Sequence, residues 1–271
     1  MKKSILIIMV LTLLVISGCK PKKEVTVTPV GITAKDIYEQ AKKFMKRSPE
    51  KARLLFKEVM QLYPSSVYAR LGKIGIADSF FKERGSSSLV MAAAEYQDYV
   101  NLYPQSPDAS YASYRVGVCY LRQTKKPGRD QSSTGIALKH FENMIKQFPG
   151  TKEAAEAKKH ITKCRHNLAS HTYKIGVANF RMKAFPGAIT RFKEVMDKYP
   201  EFTAMDKNFY YAGRTYFIMD DYDLALSFFQ RVMNNYPKSK LAKKAQKMAR
   251  AAEKAKKTKK IKRIPPSGDK K

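Results

Sequence analysis

The sequence contains no tryptophan and little cysteine, glycine or proline, and these shortages exclude several classes of protein. Three cysteines in 271 residues are too few for a small domain held together by disulfides. With 13 glycines and 13 prolines, the chain is neither collagen-like nor a low-complexity segment. Gly-rich phosphate loops, G-x-S-x-G turns and H-E-x-x-H pairs are also missing. We therefore expect a protein that is not an enzyme and that needs no cofactor.

Acidic residues are scarce as well, since 53 Lys and Arg stand against 23 Asp and Glu, a formal net charge of +30. The excess is concentrated at one end, where residues 238–271 hold 15 basic and 2 acidic residues. Basic density of this kind is typical of proteins that meet nucleic acid or an anionic membrane surface. No motif that reads nucleic acid accompanies it. We therefore expect contact with anionic lipid, or a solvated tail, and no nucleic acid.

No hydrophobic run reaches the length of about 20 residues that a membrane-spanning helix needs. Behind Lys2 and Lys3, residues 4–17 form an apolar run of 14 residues, which is typical of a signal peptide. The run ends in Ile-Ser-Gly-Cys. This ending resembles the lipobox of bacterial lipoproteins, in which a branched apolar residue and two small residues precede the cysteine that receives the lipid. A short uncleaved anchor with an incidental cysteine is the alternative.

The lipobox resemblance implies a signal peptide over residues 1–18 and a mature chain that begins at a lipidated Cys19. Residues 19–31 are expected to form an extended tether because they contain prolines and alternating Thr and Val. Lys20 follows the cysteine at the position where an Asp retains enteric-type lipoproteins in the inner membrane. The resemblance therefore implies a lipid-anchored protein of the outer membrane that faces the periplasm.

One pattern recurs five times in the remaining chain: an alanine, an aromatic residue at +4, an apolar residue at +7 and an aromatic–Pro pair at +11 and +12. The copies begin at Ala52, Ala92, Ala137, Ala188 and Ala225. Offsets of 4, 7 and 11 lie on one face of an α-helix. The proline ends the helix because it cannot continue the hydrogen-bond ladder. The pattern therefore predicts five helices that each bury one face.

These copies resemble the second helix of the tetratricopeptide repeat, whose first helix carries a glycine twelve residues before the alanine. Gly176 and Gly213 stand at that distance, whereas Gly75 and Gly117 stand 17 and 20 residues away, so we expect longer loops in repeats two and three. The predicted fold is all-α, an α-solenoid of five tetratricopeptide-like helix pairs with a basic C-terminal helix. The expected pairs are 33–47/49–63, 66–84/89–103, 107–123/133–148, 151–183/186–199 and 203–219/222–236, and the last helix runs from 239 to about 260.

Three further runs narrow the resemblance. Residues 63–69 match the pattern Y-P-x-S-x-Y-A, residues 129–132 read Arg-Asp-Gln-Ser, and residues 165–171 match R-x-x-L-A-x-H. Together they resemble the BamD (YfiO/ComL) family of outer-membrane assembly lipoproteins. Membership implies a non-catalytic subunit of the β-barrel assembly machinery that binds the insertase BamA and nascent outer-membrane proteins. In this family the residue directly after the last run is usually Glu, whereas this chain has Thr172 there.

The resemblance also implies a division of labour. Repeats one to three, residues 32–148, receive unfolded chains, whereas residues 149–245, with repeats four and five and the start of the final helix, bind BamA and residues 246–271 form a basic tail. Arg191 is the expected contact to an acidic patch on BamA. The other candidate partner-binding residues are Arg165, Arg129, Asp130, Tyr68, Tyr111 and Tyr114. Tyr111 and Tyr114 are either a peptide-receiving surface or packing residues between repeats.

Alternatives remain at this stage. A tetratricopeptide lipoprotein could instead serve another envelope system, as a secretin pilotin or as a cell-division or peptidoglycan adaptor. His160, Cys164 and His171 share a helix face, but no second cluster completes a metal site, so we expect no metal. Cys119 and Cys164 fall in adjacent repeats and form either a periplasmic disulfide or two buried free thiols.

Overall fold

The computed structural model describes residues 31–263, and within this range it contains eleven α-helices and no strand. Cys19, the proposed signal peptide, the tether up to residue 30 and the last eight residues lie outside the described range. The helices are α1 (Ala34–Phe44), α2 (Pro49–Leu62), α3 (Val67–Glu83), α4 (Ser86–Leu102), α5 (Ala109–Arg122), α6 (Ser132–Gln147), α7 (Lys152–Arg181), α8 (Phe185–Lys198), α9 (Met205–Ile218), α10 (Tyr222–Asn235) and α11 (Ala242–Arg263).

The helices stack in chain order, and each packs against the next. Contacts between helices two apart join α1 to α3, α5 to α7, α7 to α9 and α9 to α11. All of these except α11 are the first helices of their pairs, so the first helices together line one face of the stack. This arrangement is the predicted all-α solenoid, in which each repeat buries its apolar face only against its neighbours.

The recurring pattern forms the core of every repeat. The five alanines are all 0% exposed, and the five aromatic residues that follow them at +4 are at most 1% exposed. Each second helix ends one residue before the aromatic residue of the aromatic–Pro pair. The backbone N–H of that aromatic residue donates to the carbonyl four residues earlier. Since alanine has no side chain beyond Cβ, it lets the neighbouring helix approach closely. The predicted helical register is confirmed.

The glycines of the first helices make the same close approach in three repeats. A Cβ built on Gly213 would lie 2.8 Å from Phe229, one on Gly176 2.7 Å from Phe192, and one on Gly117 2.4 Å from Phe141. In each of these repeats the aromatic ring therefore occupies the space that a side chain would need.

Repeat two departs from the expected arrangement. Gly75 faces Phe56 of repeat one at 2.6 Å, and not Tyr96 of its own repeat. The expected long loop over residues 85–88 is also wrong, because α3 continues to Glu83 and α4 already begins at Ser86. The additional residues lengthen both helices, so the glycine of repeat two lies too early in α3 to meet its own second helix.

Four Ser or Thr residues stand two positions after a proline of the recurring pattern, and they behave in two ways. Ser66 and Thr151 accept hydrogen bonds from Tyr68 N at 3.1 Å and Ala154 N at 3.2 Å, and therefore cap α3 and α7. Ser106 and Ser239 cap only the turns before α5 and α11, which begin three residues later than their cap. Residues 152–181, which lie within the first helix of the predicted pair 151–183/186–199, form one helix of 30 residues.

Both described cysteines are free and buried. Burial raises the pKa of Cys119 to about 12 and that of Cys164 to about 11. A thiol with so high a pKa is a poor nucleophile, so both residues act as small apolar side chains in the core. Between residues 31 and 263, no helix is both long and apolar enough to span a bilayer.

Candidate functional site

A groove opens between the first helices of repeats one, two and three. We call it the N-terminal groove, and its volume is about 510 Å³. Each helix contributes side chains from one of its faces, which follow the helical spacing of 3 or 4 residues. The groove is lined by Tyr38 and Lys42 of α1, Met45 directly after α1, Phe56 of α2, Leu71, Ile74, Gly75 and Asp78 of α3, and Asp108 and Tyr111 beside or on α5.

A polar network fixes one wall of the N-terminal groove. The carboxylate of Asp78 accepts a hydrogen bond from the Tyr111 hydroxyl at 2.8 Å and another from the Tyr96 hydroxyl. Arg115 lies 3.6 Å from the same carboxylate and donates to the Tyr96 hydroxyl at 3.1 Å. Burial raises the pKa of both tyrosines, so they remain neutral hydrogen-bond donors. The network holds Tyr111 in one orientation at the groove wall.

An adjoining pocket of about 340 Å³ shares Met45, Asp78 and Tyr111 with the N-terminal groove and is strongly basic. Its cations, the basic cluster, are Lys82, Arg84, Arg115 and Arg122. The ring of Phe81 lies between the guanidinium groups of Arg115 and Arg122, whose central carbons are 3.6 Å and 3.7 Å from the ring centroid.

The basic cluster has more positive charge than its surroundings compensate. Asp78 is the one carboxylate that lines this pocket. Burial, together with the charges of Arg115 and Arg84, lowers the pKa of Arg122. A cation held among like charges gains from an added anion. The cluster can therefore accept a carboxylate from a ligand that lies in the groove.

Two of the three tyrosines predicted from the sequence meet at the N-terminal groove. Tyr111 lines it, and Tyr68 packs at its edge against Tyr38, with ring centroids 5.5 Å apart. Tyr114 does not join them. Its hydroxyl is 3.0 Å from His160 Nε2, and its ring packs 6.0 Å from that of Phe141, which places it between repeats three and four.

Arg129 and Asp130 lie in the loop between α5 and α6, and both are exposed. Asp130 accepts from Ser132 N at 3.1 Å and from Ser132 Oγ at 2.6 Å. The buried Gln131 donates to four loop carbonyls, and His171 Nδ1 lies 2.8 Å from the carbonyl of Pro127. Asp130 thus shapes its own loop, and Arg129 is left facing solvent.

The two remaining candidate arginines differ in how their charge is compensated. Arg165 donates to Glu201 at 2.5 Å and to the carbonyl of Lys198 at 2.9 Å, so it links α7 to the turn after α8. Arg191 has a side chain that is 44% exposed and pairs with Glu194 at 2.7 Å, one turn along its own helix. An exposed pair of this kind is weak and exchanges readily for another partner.

Sequence reasoning missed Tyr38, Asp78, Phe81, Arg115 and Arg122. Asp78 carried the clearest signal, since it is the first acid of α3 and follows eleven non-acidic residues. An isolated carboxylate on a largely buried helix usually has a partner. The spacing of Tyr111, Arg115 and Arg122 at i, i+4 and i+11 places all three on one face of α5, which also points to a shared site.

The three residues weighed as metal ligands are used otherwise. His160 contacts Tyr114, His171 contacts a loop carbonyl, and Cys164 is buried. In the part of the chain that the structure describes, no three His, Cys, Asp or Glu side chains are grouped as a metal site.

The fold and the groove define a class of protein, the tetratricopeptide-type α-solenoid with a groove between its first helices. A tetratricopeptide repeat model matches residues 207–239, which include helix α10. The YfiO family model, described as an outer membrane lipoprotein, matches residues 31–216. The chain therefore belongs to the YfiO family of outer membrane lipoproteins, and the resemblance found in its three short runs is confirmed.

Curated relatives in several bacteria are named outer membrane protein assembly factor BamD. The outer membrane protein assembly factor BamD of Rickettsia prowazekii (strain Madrid E) is 27% identical over 238 residues, which cover 84% of this chain and 89% of that protein. Its counterpart in Caulobacter vibrioides is 28% identical over 144 residues, which cover 53% and 46%. A solved structure, the TPR2AB domain of yeast Sti1 in a pHSP90 complex, has a TM-score of 0.37, 11% identity and coverage of 81% and 98%.

Proposed function

We propose that this protein is a non-catalytic, lipid-anchored periplasmic scaffold of the β-barrel assembly machinery. In this role it binds a BamA-like insertase and unfolded outer-membrane proteins and assists their folding and insertion. The family match and the relatives named BamD support membership of the machinery. The N-terminal groove is the single observation that best supports the binding of unfolded chains.

The chemistry of the N-terminal groove suits an extended segment of an outer-membrane protein. Strands of such proteins alternate apolar and polar side chains. Leu71, Ile74 and Met45 offer the groove an apolar surface, and the adjoining basic cluster offers charge to a carboxylate. Tyr111 is held in place by Asp78, so its ring is presented to a ligand at little cost in conformational entropy. We expect one apolar side chain to enter the groove while a neighbouring carboxylate meets the basic cluster.

Filling the groove should abolish this binding. Met45 lines both the groove and the basic pocket and belongs to neither the Asp78 network nor the repeat pattern. In Met45→Trp the larger side chain would occupy the space of the ligand's apolar anchor. Loss of an anchor contact costs about 2 kcal/mol or more, or about 30-fold in affinity. Fluorescence anisotropy with a labelled peptide copied from an outer-membrane protein strand measures the change.

Met182→Trp is the matched control, because Met182 is 69% exposed and lies at the end of α7, outside the groove. It should bind the peptide as the unsubstituted chain does. Equal affinity of all three proteins would remove the groove from the proposal. If the unsubstituted chain captured a secretin and no BamA-like insertase from membranes, the protein would be an adaptor of another envelope system.

The anchor can be tested separately. If Cys19 receives the lipid, Cys19→Ser should leave an unprocessed precursor or a soluble periplasmic form. Fractionation of membranes and the apparent mass of the chain report the outcome. A Cys19→Ser chain of mature size that remains in the outer-membrane fraction would contradict lipidation at this residue.

A further inference from the structure

The last helix, α11, carries one face that the solenoid does not use. Ala245, Ala249 and Ala252 are buried against the preceding helices, and Ala245 and Ala252 are 0% exposed. On the opposite side lies a row of cations with spacings of 4, 3, 4 and 3 residues, which at about 100° per residue keeps all of them on one face. This cationic stripe consists of Lys243, Lys247, Arg250, Lys254 and Lys257, all exposed.

The stripe is oriented by other cations of the same helix. Lys256 pairs with Asp223 in the first turn of α10, and Lys259 lies 3.6 Å from Asp220 in the turn before α10, so both bind α11 to the start of that helix. Among the residues that the structure describes, none of the five stripe cations has an ion-pair partner in its own chain. Glu253 is the one acidic residue of α11. Apart from Glu253, which stands three residues after Arg250 and four before Lys257, the charge compensation of α11 lies on its inner side.

The cationic stripe lowers the stability of its own helix. Its neighbours stand at i,i+3 or i,i+4, where like charges repel. Selection for helix stability alone would favour Glu or Gln at some of these positions. The stripe contains no apolar or aromatic residue, so it suits a flat, negatively charged surface and not a hydrophobic groove. Over the 14 residues between its ends it extends about 21 Å.

We propose that the cationic stripe lies along the anionic, phosphate-bearing surface of a lipid bilayer. Polybasic segments are attracted to such surfaces without inserting into them. Membership of an outer membrane lipoprotein family supports a bilayer as the nearby polyanion. Contact along 21 Å of α11 would hold the C-terminal end of the solenoid against the membrane and so set the orientation of the other repeats. This inference does not depend on which protein the solenoid binds.

Vesicle binding tests the proposal with the chain from residue 20 to 271, which keeps every described residue and lacks the acyl site. We expect it to sediment with vesicles of phosphatidylethanolamine and phosphatidylglycerol, to release as salt rises, and not to bind phosphatidylcholine vesicles. Reversing the centre of the stripe with Lys247→Glu, Arg250→Glu and Lys254→Glu should lower vesicle affinity by at least about 100-fold, since each lost cation near such a surface costs about fivefold and each added carboxylate is repelled.

The matched control reverses three exposed lysines of α7, Lys152→Glu, Lys158→Glu and Lys163→Glu, which gives the same change in net charge. It should retain most of the affinity. Equal losses in the two variants would show that only net charge matters and would overturn the proposal, as would undiminished binding of the stripe variant. Tighter binding to a duplex DNA fragment than to the vesicles would also overturn it. Circular dichroism melts show that each variant is folded, and peptide binding at the N-terminal groove should be unchanged in both.

Discussion

Gly117→Ala should destabilise the fold, although alanine is a better helix former than glycine. Gly117 lies inside α5, and a Cβ there would come within 2.4 Å of the Phe141 ring. The ring is 0% exposed and cannot move aside, because its neighbours in the core enclose it. Overpacking of this kind costs about 1–3 kcal/mol. The thermal midpoint measured by circular dichroism should fall by about 5 °C.

Gly135→Ala is the matched control with the opposite sign. Gly135 lies in the adjacent helix α6, and a Cβ there would meet nothing within 4 Å. The substitution should therefore show only the ordinary helix preference for alanine, a gain of about 0.5–1 kcal/mol. A higher midpoint for Gly135→Ala together with a lower one for Gly117→Ala would support the close packing of glycine against the aromatic ring. A rise in both midpoints would contradict it.

The contrast between these glycines shows what the sequence could and could not predict. The five-fold pattern placed the second helices well, because the alanine, the aromatic residue and the proline each act within a few residues of one another. The glycine contacts depend on how two helices are aligned across a turn. Gly75 illustrates the limit, since the additional residues of repeat two lengthened α3 and α4 and moved this glycine toward Phe56 of repeat one.

The candidate site also shows that sequence patterns predict local features better than contacts between distant residues. Tyr68 and Tyr111 were predicted from a sequence run and from helical spacing. Tyr111 lines the N-terminal groove, and Tyr68 packs against Tyr38, which lines it. Asp78, Arg115 and Phe81 were missed because most of their partners lie 15 or more residues away, as Tyr96 and Tyr111 do from Asp78. Arg165 was predicted to bind a partner protein, yet its intramolecular bonds to Glu201 and to the turn after α8 come from residues that no local pattern connects with it.

The surroundings of Arg191 are compatible with the docking role predicted for it, which stays a prediction. Its Cβ would be 3.2 Å from a Cβ on Gly176, so the base of its side chain is fixed between α7 and α8 while the guanidinium group stays exposed. Glu194 is its one ion-pair partner in the described chain, and Lys198 binds the same carboxylate at 3.0 Å. If Arg191 left to meet an acidic surface, Glu194 would therefore still be compensated.

If repeats four and five bind an acidic surface of a BamA-like insertase, Arg191→Glu should reduce its recovery by about 30-fold or more. Reversal at one partner of a buried interfacial charge pair costs about 2–5 kcal/mol.

Lys193→Glu is the matched control, because it makes the same charge change on the same helix. Lys193 is exposed about 200° around the helix from Arg191, so its reversal should reduce recovery of the insertase only slightly. Arg191→Gln removes the positive charge without placing a second carboxylate beside Glu194. It should therefore give a loss of recovery that lies between those of the unsubstituted chain and of Arg191→Glu. Pull-downs from solubilised membranes, with thermal melts of each variant, measure the effect. Full recovery with Arg191→Glu would exclude this residue from the interface, whereas equal losses with Lys193→Glu would mean that the docking depends on overall charge and not on this face of α8.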